Sequence, residues 1–147
     1  MQDLSLFTYK EAIDMINGFF MTDGGILDSE VKQYLGASRF IGMGYAQKDE
    51  EHEEFYVVND AGRKLLREYV KSISERFIDY MKTNRNKVAC EDIFKWFMDE
   101  FDLDTIEDGE DIAKYIFGKL GRYGYKIWKP LGRNNGFYEM EPATTEY

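Results

Sequence analysis

The many carboxylates of this sequence could supply an acid/base pair, but nothing in their spacing chooses one, and thiol and imidazole side chains are few. Cys90 is the only cysteine and His52 the only histidine. A thiolate nucleophile needs an imidazole beside it to take its proton, so these two form the one pairing available. His52 stands inside "QKDEEHEE" (47–54), a stretch too charged to be buried. Cys90 follows the β-like "KVA", where a buried structural cysteine is expected. The pair offers no nucleophile. "DLDTIEDGED" (102–111) has the carboxylate density of a calcium loop, but an EF-hand needs oxygen ligands at its first, third and fifth positions and glycine at its sixth. Counted from Asp102, the fifth is Ile106 and the sixth Glu107, and the pattern fails. "GMGYAQ" (42–47) has one G-x-G, without the third glycine or a helix to follow it, so it is no phosphate loop. The expectation is a non-enzymatic protein with no metal and no cofactor.

Charge carries more information. The chain has a formal net charge of -9, which argues against general attraction to nucleic acid or anionic lipid. The charge is uneven. Residues 111–138 hold Lys114, Lys119, Arg122, Lys126, Lys129 and Arg133 against Asp111, a net of +5. Residues 139–147 carry -3, which leaves -11 on residues 1–110. Such asymmetry implies surfaces with different tasks.

The elements that must position these charges follow from periodicity. "TYKE" (8–11) is a capping box, and Ala12, Ile13, Ile16, Phe19 and Phe20 behind it make one apolar helical face. A second helix is expected from Asp28 or Ser29 to a stop at Gly36, with Val31, Tyr34 and Leu35 inward. "RFIGMGYA" (39–46) reads as a strand, with a short helix inside 36–42 as the alternative. "FYVVN" (55–59) is a strand by its β-branched and aromatic content, so 39–59 reads as a hairpin with an acidic tip. Asn59 or Asp60 caps a helix over 61–84 that would be roughly 35 Å long. "KVAC" (87–90) is a short strand, and Glu91 or Asp92 opens a helix through Phe101. Residues 102–111 read as a solvated connection to a helix over 109–120, and "YKIWKPL" and "GFYEM" around "GRNN" as a final hairpin.

In the second half, helix, short strand, helix, helix and hairpin is an order that resembles the winged-helix form of the helix-turn-helix superfamily; the first half offers helix, helix, hairpin and helix, and resembles it less completely. "FYVVNDAGRKLL" (55–66) looks like the wing strand and closing helix of MarR/PadR-type regulators, with Gly62 and Arg63 at matching places. The resemblance implies an α+β fold of two winged-helix-like halves, 1–71 and 72–141, joined by a long shared helix, with a tail at 142–147. It also implies a DNA-binding or regulatory module in which the 109–120 helix and its wing meet double-stranded DNA. Lys114, Lys119, Arg122, Lys126, Lys129 and Arg133 would neutralise phosphates there, and Asn134 and Asn135 would donate to phosphate oxygens. Winged helices serve as protein-interaction modules too.

The acidic portion supports that other use. Asp49, Glu50, Glu51, Glu53 and Glu54, with Asp99, Glu100, Asp102, Asp104, Glu107 and Asp108, could imitate phosphates and occupy a basic groove of a nucleic-acid-handling protein, as a phage-type inhibitor or DNA mimic would. A homodimer is a further alternative, from the aromatic content and the long helix. No apolar run approaches the ~20 residues of a bilayer span, and "MQDLSLFTYKEAIDM" has no signal-peptide pattern. The expected location is cytoplasmic.

Overall fold

A computed structural model describes residues 4–22, 25–129 and 136–143. The protein is α+β, and the chain divides into two compact units, Met1–Val70 and Lys71–Tyr147.

In the first unit α1 spans Tyr9–Phe19 and opens with the expected capping box. The Glu11 amide donates to Thr8 Oγ1 at 3.1 Å, and the Thr8 amide donates to Glu11 Oε1 at 2.9 Å. The segment expected to be the second helix is a 3-10 helix, Asp28–Gln33, with no buried residue, and Leu35 is 46% exposed rather than inward. Residues 39–46 are not a strand. Ala37–Gly42 form a short helix, α2, and only Ala46 of that stretch enters a strand. The reason is Phe40. It is fully buried, with ring centroids 5.7 Å from Phe7, 5.5 Å from Phe19 and 5.2 Å from Tyr45, and a helical turn is what carries it there. Burying one such ring contributes about 1.5–3 kcal/mol. Gly36 at φ 78° and Gly44 at φ 87° make the left-handed turns on either side.

Three antiparallel strands complete this unit in the order β1-β3-β2: β1 is Ile26–Leu27, β2 Ala46–Lys48 and β3 Phe55–Val58. β1 is a strand that periodicity does not announce. Its two residues are recruited by pairing Ile26 with Tyr56 and Leu27 with Phe55. The long helix α3, Asp60–Thr83, begins where Asn59 Oδ1 accepts from the Gly62 amide at 2.9 Å. Gly62 is required there, because a Cβ would stand 2.1 Å from the Tyr45 carbonyl oxygen. Leu65, Leu66, Tyr69 and Val70 are buried in the core, as are Ile13, Ile16 and Phe19, and the Tyr69 ring packs edge-on against Tyr9 at 5.7 Å.

The second unit takes residues 71–83 of α3 as its first helix. β4 (Lys87–Ala89), α4 (Cys90–Glu100), α5 (Ile106–Phe117), β5 (Tyr125–Trp128) and β6 (Phe137–Pro142) follow. The sheet order is β4-β6-β5, all antiparallel, so each unit runs helix, strand, helical segments (two in the first unit, three in the second) and two antiparallel strands, with the last strand central. α5 starts three residues earlier than 109, because Thr105 caps it: the Asp108 amide donates to Thr105 Oγ1 at 3.1 Å. It also ends earlier, and residues 120–123 form a separate 3-10 helix. The core is an aromatic cluster in which Phe77 lies 5.2 Å from Phe97 and 5.6 Å from Phe117, with Ile93, Ile112, Ile116 and Met140 around it. Gly109 lets α5 lie close on α4, since a Cβ would be 2.3 Å from the Phe94 carbonyl oxygen.

Candidate functional site

The described basic candidates run from α5 to just past the end of β5, and two of the five, Lys114 and Lys126, are in ion pairs. Lys114 on α5 sits 2.7 Å from Glu110, one turn earlier. That hydrogen bond and the carboxylate's charge hold the Lys114 ammonium above its ordinary pKa range. Lys126 on β5 meets Glu141, its cross-strand partner on β6, at 3.1 Å. Lys119 lies 5.0 Å from the centre of the Tyr115 ring. Arg122 and Lys129 are exposed, and neither makes an ion pair with a described residue. Arg133, Asn134 and Asn135 fall outside the described residues. The remainder of the α5 surface is acidic. Glu107 and Asp111 are exposed, and Asp108 and Glu110 are half-buried. Carboxylates in a first turn favour the helix electrostatically, but they place negative charge on the part of α5 that would approach a duplex.

In the first unit α2 carries one cation, Arg39, which is held by its own fold. Its guanidinium bonds both oxygens of Glu11, at 2.9 and 3.4 Å, donates to the Leu6 carbonyl oxygen and lies 4.5 Å above the Phe7 ring. Burial alone would raise the Glu11 carboxyl; the Arg39 and Thr8 hydrogen bonds outweigh it and hold the carboxyl below its ordinary pKa. This clamp joins residues 28 positions apart and escaped the sequence reading, which put Arg39 on a strand.

The acidic candidates form two surfaces, one in each unit. The β2–β3 tip is a formed turn: the Asp49 amide donates to the Phe55 carbonyl at 2.9 Å, and the Phe55 amide to the His52 carbonyl at 3.0 Å. Glu50, Glu51, Glu53 and Glu54 are exposed on it. His52 Nδ1 lies 3.5 Å from Asp49. In the second unit Asp99, Glu100, Asp102, Asp104, Glu107 and Asp108 span the end of α4 and the start of α5. Glu100 is paired with Arg76 at 3.0 Å. Asp102 takes a left-handed conformation, φ 58°, just past the end of α4.

Cys90 is half-buried at the start of α4, not fully buried. Its amide donates to the Gly136 carbonyl at 2.8 Å. Among the described residues no group of three or more His, Cys, Asp or Glu converges to hold a metal ion, and no helix is long and apolar enough to cross a membrane. Comparison of the chain with protein-family models, curated proteins and solved structures finds no match.

Proposed function

We propose that the chain is a tandem of winged-helix-like units working as a non-enzymatic interaction module, which binds a basic nucleic-acid-handling protein through its acidic surfaces. The strand order, first-third-second in each sheet, supports the winged-helix reading. The observation that carries the function is the charge at the places where a winged helix meets a duplex, its second motif helix and its wing. In the first unit those places hold the clamped Arg39 and the exposed carboxylates of the 49–54 tip. In the second unit the helix presents Glu107, Asp108, Glu110 and Asp111, with Lys114 bound to Glu110, while the described part of the wing carries Lys126, paired with Glu141, and the exposed Lys129. Fixed carboxylates on a folded scaffold offer a basic groove what phosphates offer, and steer association with it.

A second reading keeps one specific support. Lys119, Arg122 and Lys129 have no ion-pair partner among the described residues and could touch duplex phosphates beside α5. Fluorescence anisotropy of labelled random duplex at low and moderate salt separates the two. The proposed function expects no duplex binding, together with capture of a basic protein that duplex DNA displaces and that a variant with Glu50, Glu51, Glu53 and Glu54 changed to Lys no longer holds. Duplex binding that falls by about 0.9 log units per log unit of salt for each phosphate contacted, and that is lost when Lys119, Arg122 and Lys129 become Glu, would overturn it in favour of the second reading.

A further inference from the structure

Within the second unit, an open groove of about 310 Å³ lies between the last turns of α3 and α4, lined by Arg76, Asp79, Tyr80, Thr83, Trp96 and Glu100. Two rungs cross it. Arg76 reaches Glu100 at 3.0 Å, and Tyr80 stacks on Trp96 with ring centroids 4.7 Å apart and planes 16° from parallel. The Trp96 ring is fixed in turn by edge contacts with Phe97 at 5.0 Å and Phe101 at 5.7 Å. The groove thus presents an aromatic platform, set over a cluster in which Phe77, Phe97 and Phe101 are buried. Its volume is at the low end for small-ligand pockets, about 300–1,000 Å³, which suits one side chain.

The lining selects the sign of the occupant. Two carboxylates, Asp79 and Glu100, face one cation, Arg76, which Glu100 already holds. Burial is the main reason the Tyr80 phenol lies above its ordinary pKa, and the nearby Asp92 carboxylate adds to it, bringing one more negative charge to that end. Aromatic faces carry negative quadrupole charge and attract cations, and a guanidinium, being flat and weakly hydrated, stacks on them better than an ammonium does.

We propose that this groove seats one arginine side chain of a basic partner segment, its guanidinium lying on the Tyr80–Trp96 platform and directed toward Asp79. The proposal rests on the reading of the chain as the ligand of a basic protein, and supplies a specific contact for it.

The test uses the full chain with Trp128→Phe, which leaves Trp96 as the sole indole of the two in the sequence. Hexa-arginine peptide is titrated at low salt, with Trp96 emission reporting the groove and anisotropy of the labelled peptide reporting binding anywhere. The expected result is a saturable emission change whose midpoint coincides with the anisotropy midpoint and lies below that for hexa-lysine. Asp79→Asn should weaken it about twofold to fivefold, the scale of one exposed ion pair. Glu51→Gln, the same charge change on the tip of the other unit, should leave the Trp96 midpoint in place. Anisotropy without an emission change would overturn the groove and leave the acidic-surface reading standing. No response from either probe would sink both. Equal weakening by Asp79→Asn and Glu51→Gln, or equal affinity for hexa-lysine, would overturn the arginine seat.

Discussion

Gly109→Ala measures how closely α5 is held on α4, and hence how the acidic first turn of α5 is positioned. An alanine Cβ would stand 2.3 Å from the Phe94 carbonyl oxygen and 3.2 Å from the Met98 amide nitrogen. Both are backbone atoms of α4, so no side chain can swing aside. Relief to ordinary van der Waals separation requires a shift of about 1 Å, which in a packed interior costs about 1–3 kcal/mol. Alanine gains helix propensity over glycine, at most about 1 kcal/mol, and less here because Gly109 is only the fourth residue of α5. The net expectation is a loss of about 1–2 kcal/mol, which for a unit of this size lowers the thermal midpoint by roughly 4–16 °C. Gly118→Ala is the control. Gly118 closes α5 at φ -69°, and its nearest neighbour to a new Cβ is the Tyr115 carbonyl oxygen at 3.5 Å, so alanine fits and should be neutral or stabilising. Circular dichroism melts of the two variants beside the parent make the comparison. If Gly109→Ala melts with or above Gly118→Ala, the close approach of α5 to α4 is wrong.

Four further outcomes are expected. Thr8→Ala removes the N-cap of α1 and should cost about 0.5–2 kcal/mol in urea unfolding. The Glu11 carboxyl is held below its ordinary value of 4.5, so the stability it adds is complete above that value and lost as pH falls through the lower folded one. Glu11→Gln should therefore flatten the acid limb of stability against pH, as urea midpoints across that limb would show. Tyr69→Phe leaves the Phe7 amide without the hydroxyl that now accepts from it at 3.1 Å, and should cost about 1–3 kcal/mol in the same assay. Asp102→Gly relieves a left-handed backbone at φ 58° and should raise the melting midpoint slightly; a fall would mean that the Asp102 side chain stabilises that turn.

How much of this could be read from residues alone depends on how far apart the partners lie. The Thr8–Glu11 box, the stripe of Leu65, Leu66, Tyr69, Ile73 and Phe77 along α3, and the inward faces of α4 and α5 all follow from spacings of three and four residues. So does the Lys114–Glu110 pair, although the basic residue was read there for its charge and not for its partner. By contrast, "RFIGMGYA" suits either a strand or a helical turn, because a short apolar run broken by glycines has no decisive period.

The sequence by itself determined the helices whose apolar faces repeat and the division of charge along the chain, since each is a property of composition or near-neighbour spacing. Tertiary structure alone decided the rest. Phe40 became helical because the Phe7, Phe19 and Tyr45 rings surround it. Ile26 and Leu27 became a strand because β3 pairs with them. Arg39 was taken out of play by Glu11, and Tyr80 was brought over Trp96. These outcomes draw their free energy from groups distant along the chain, and no local pattern records which of them will meet.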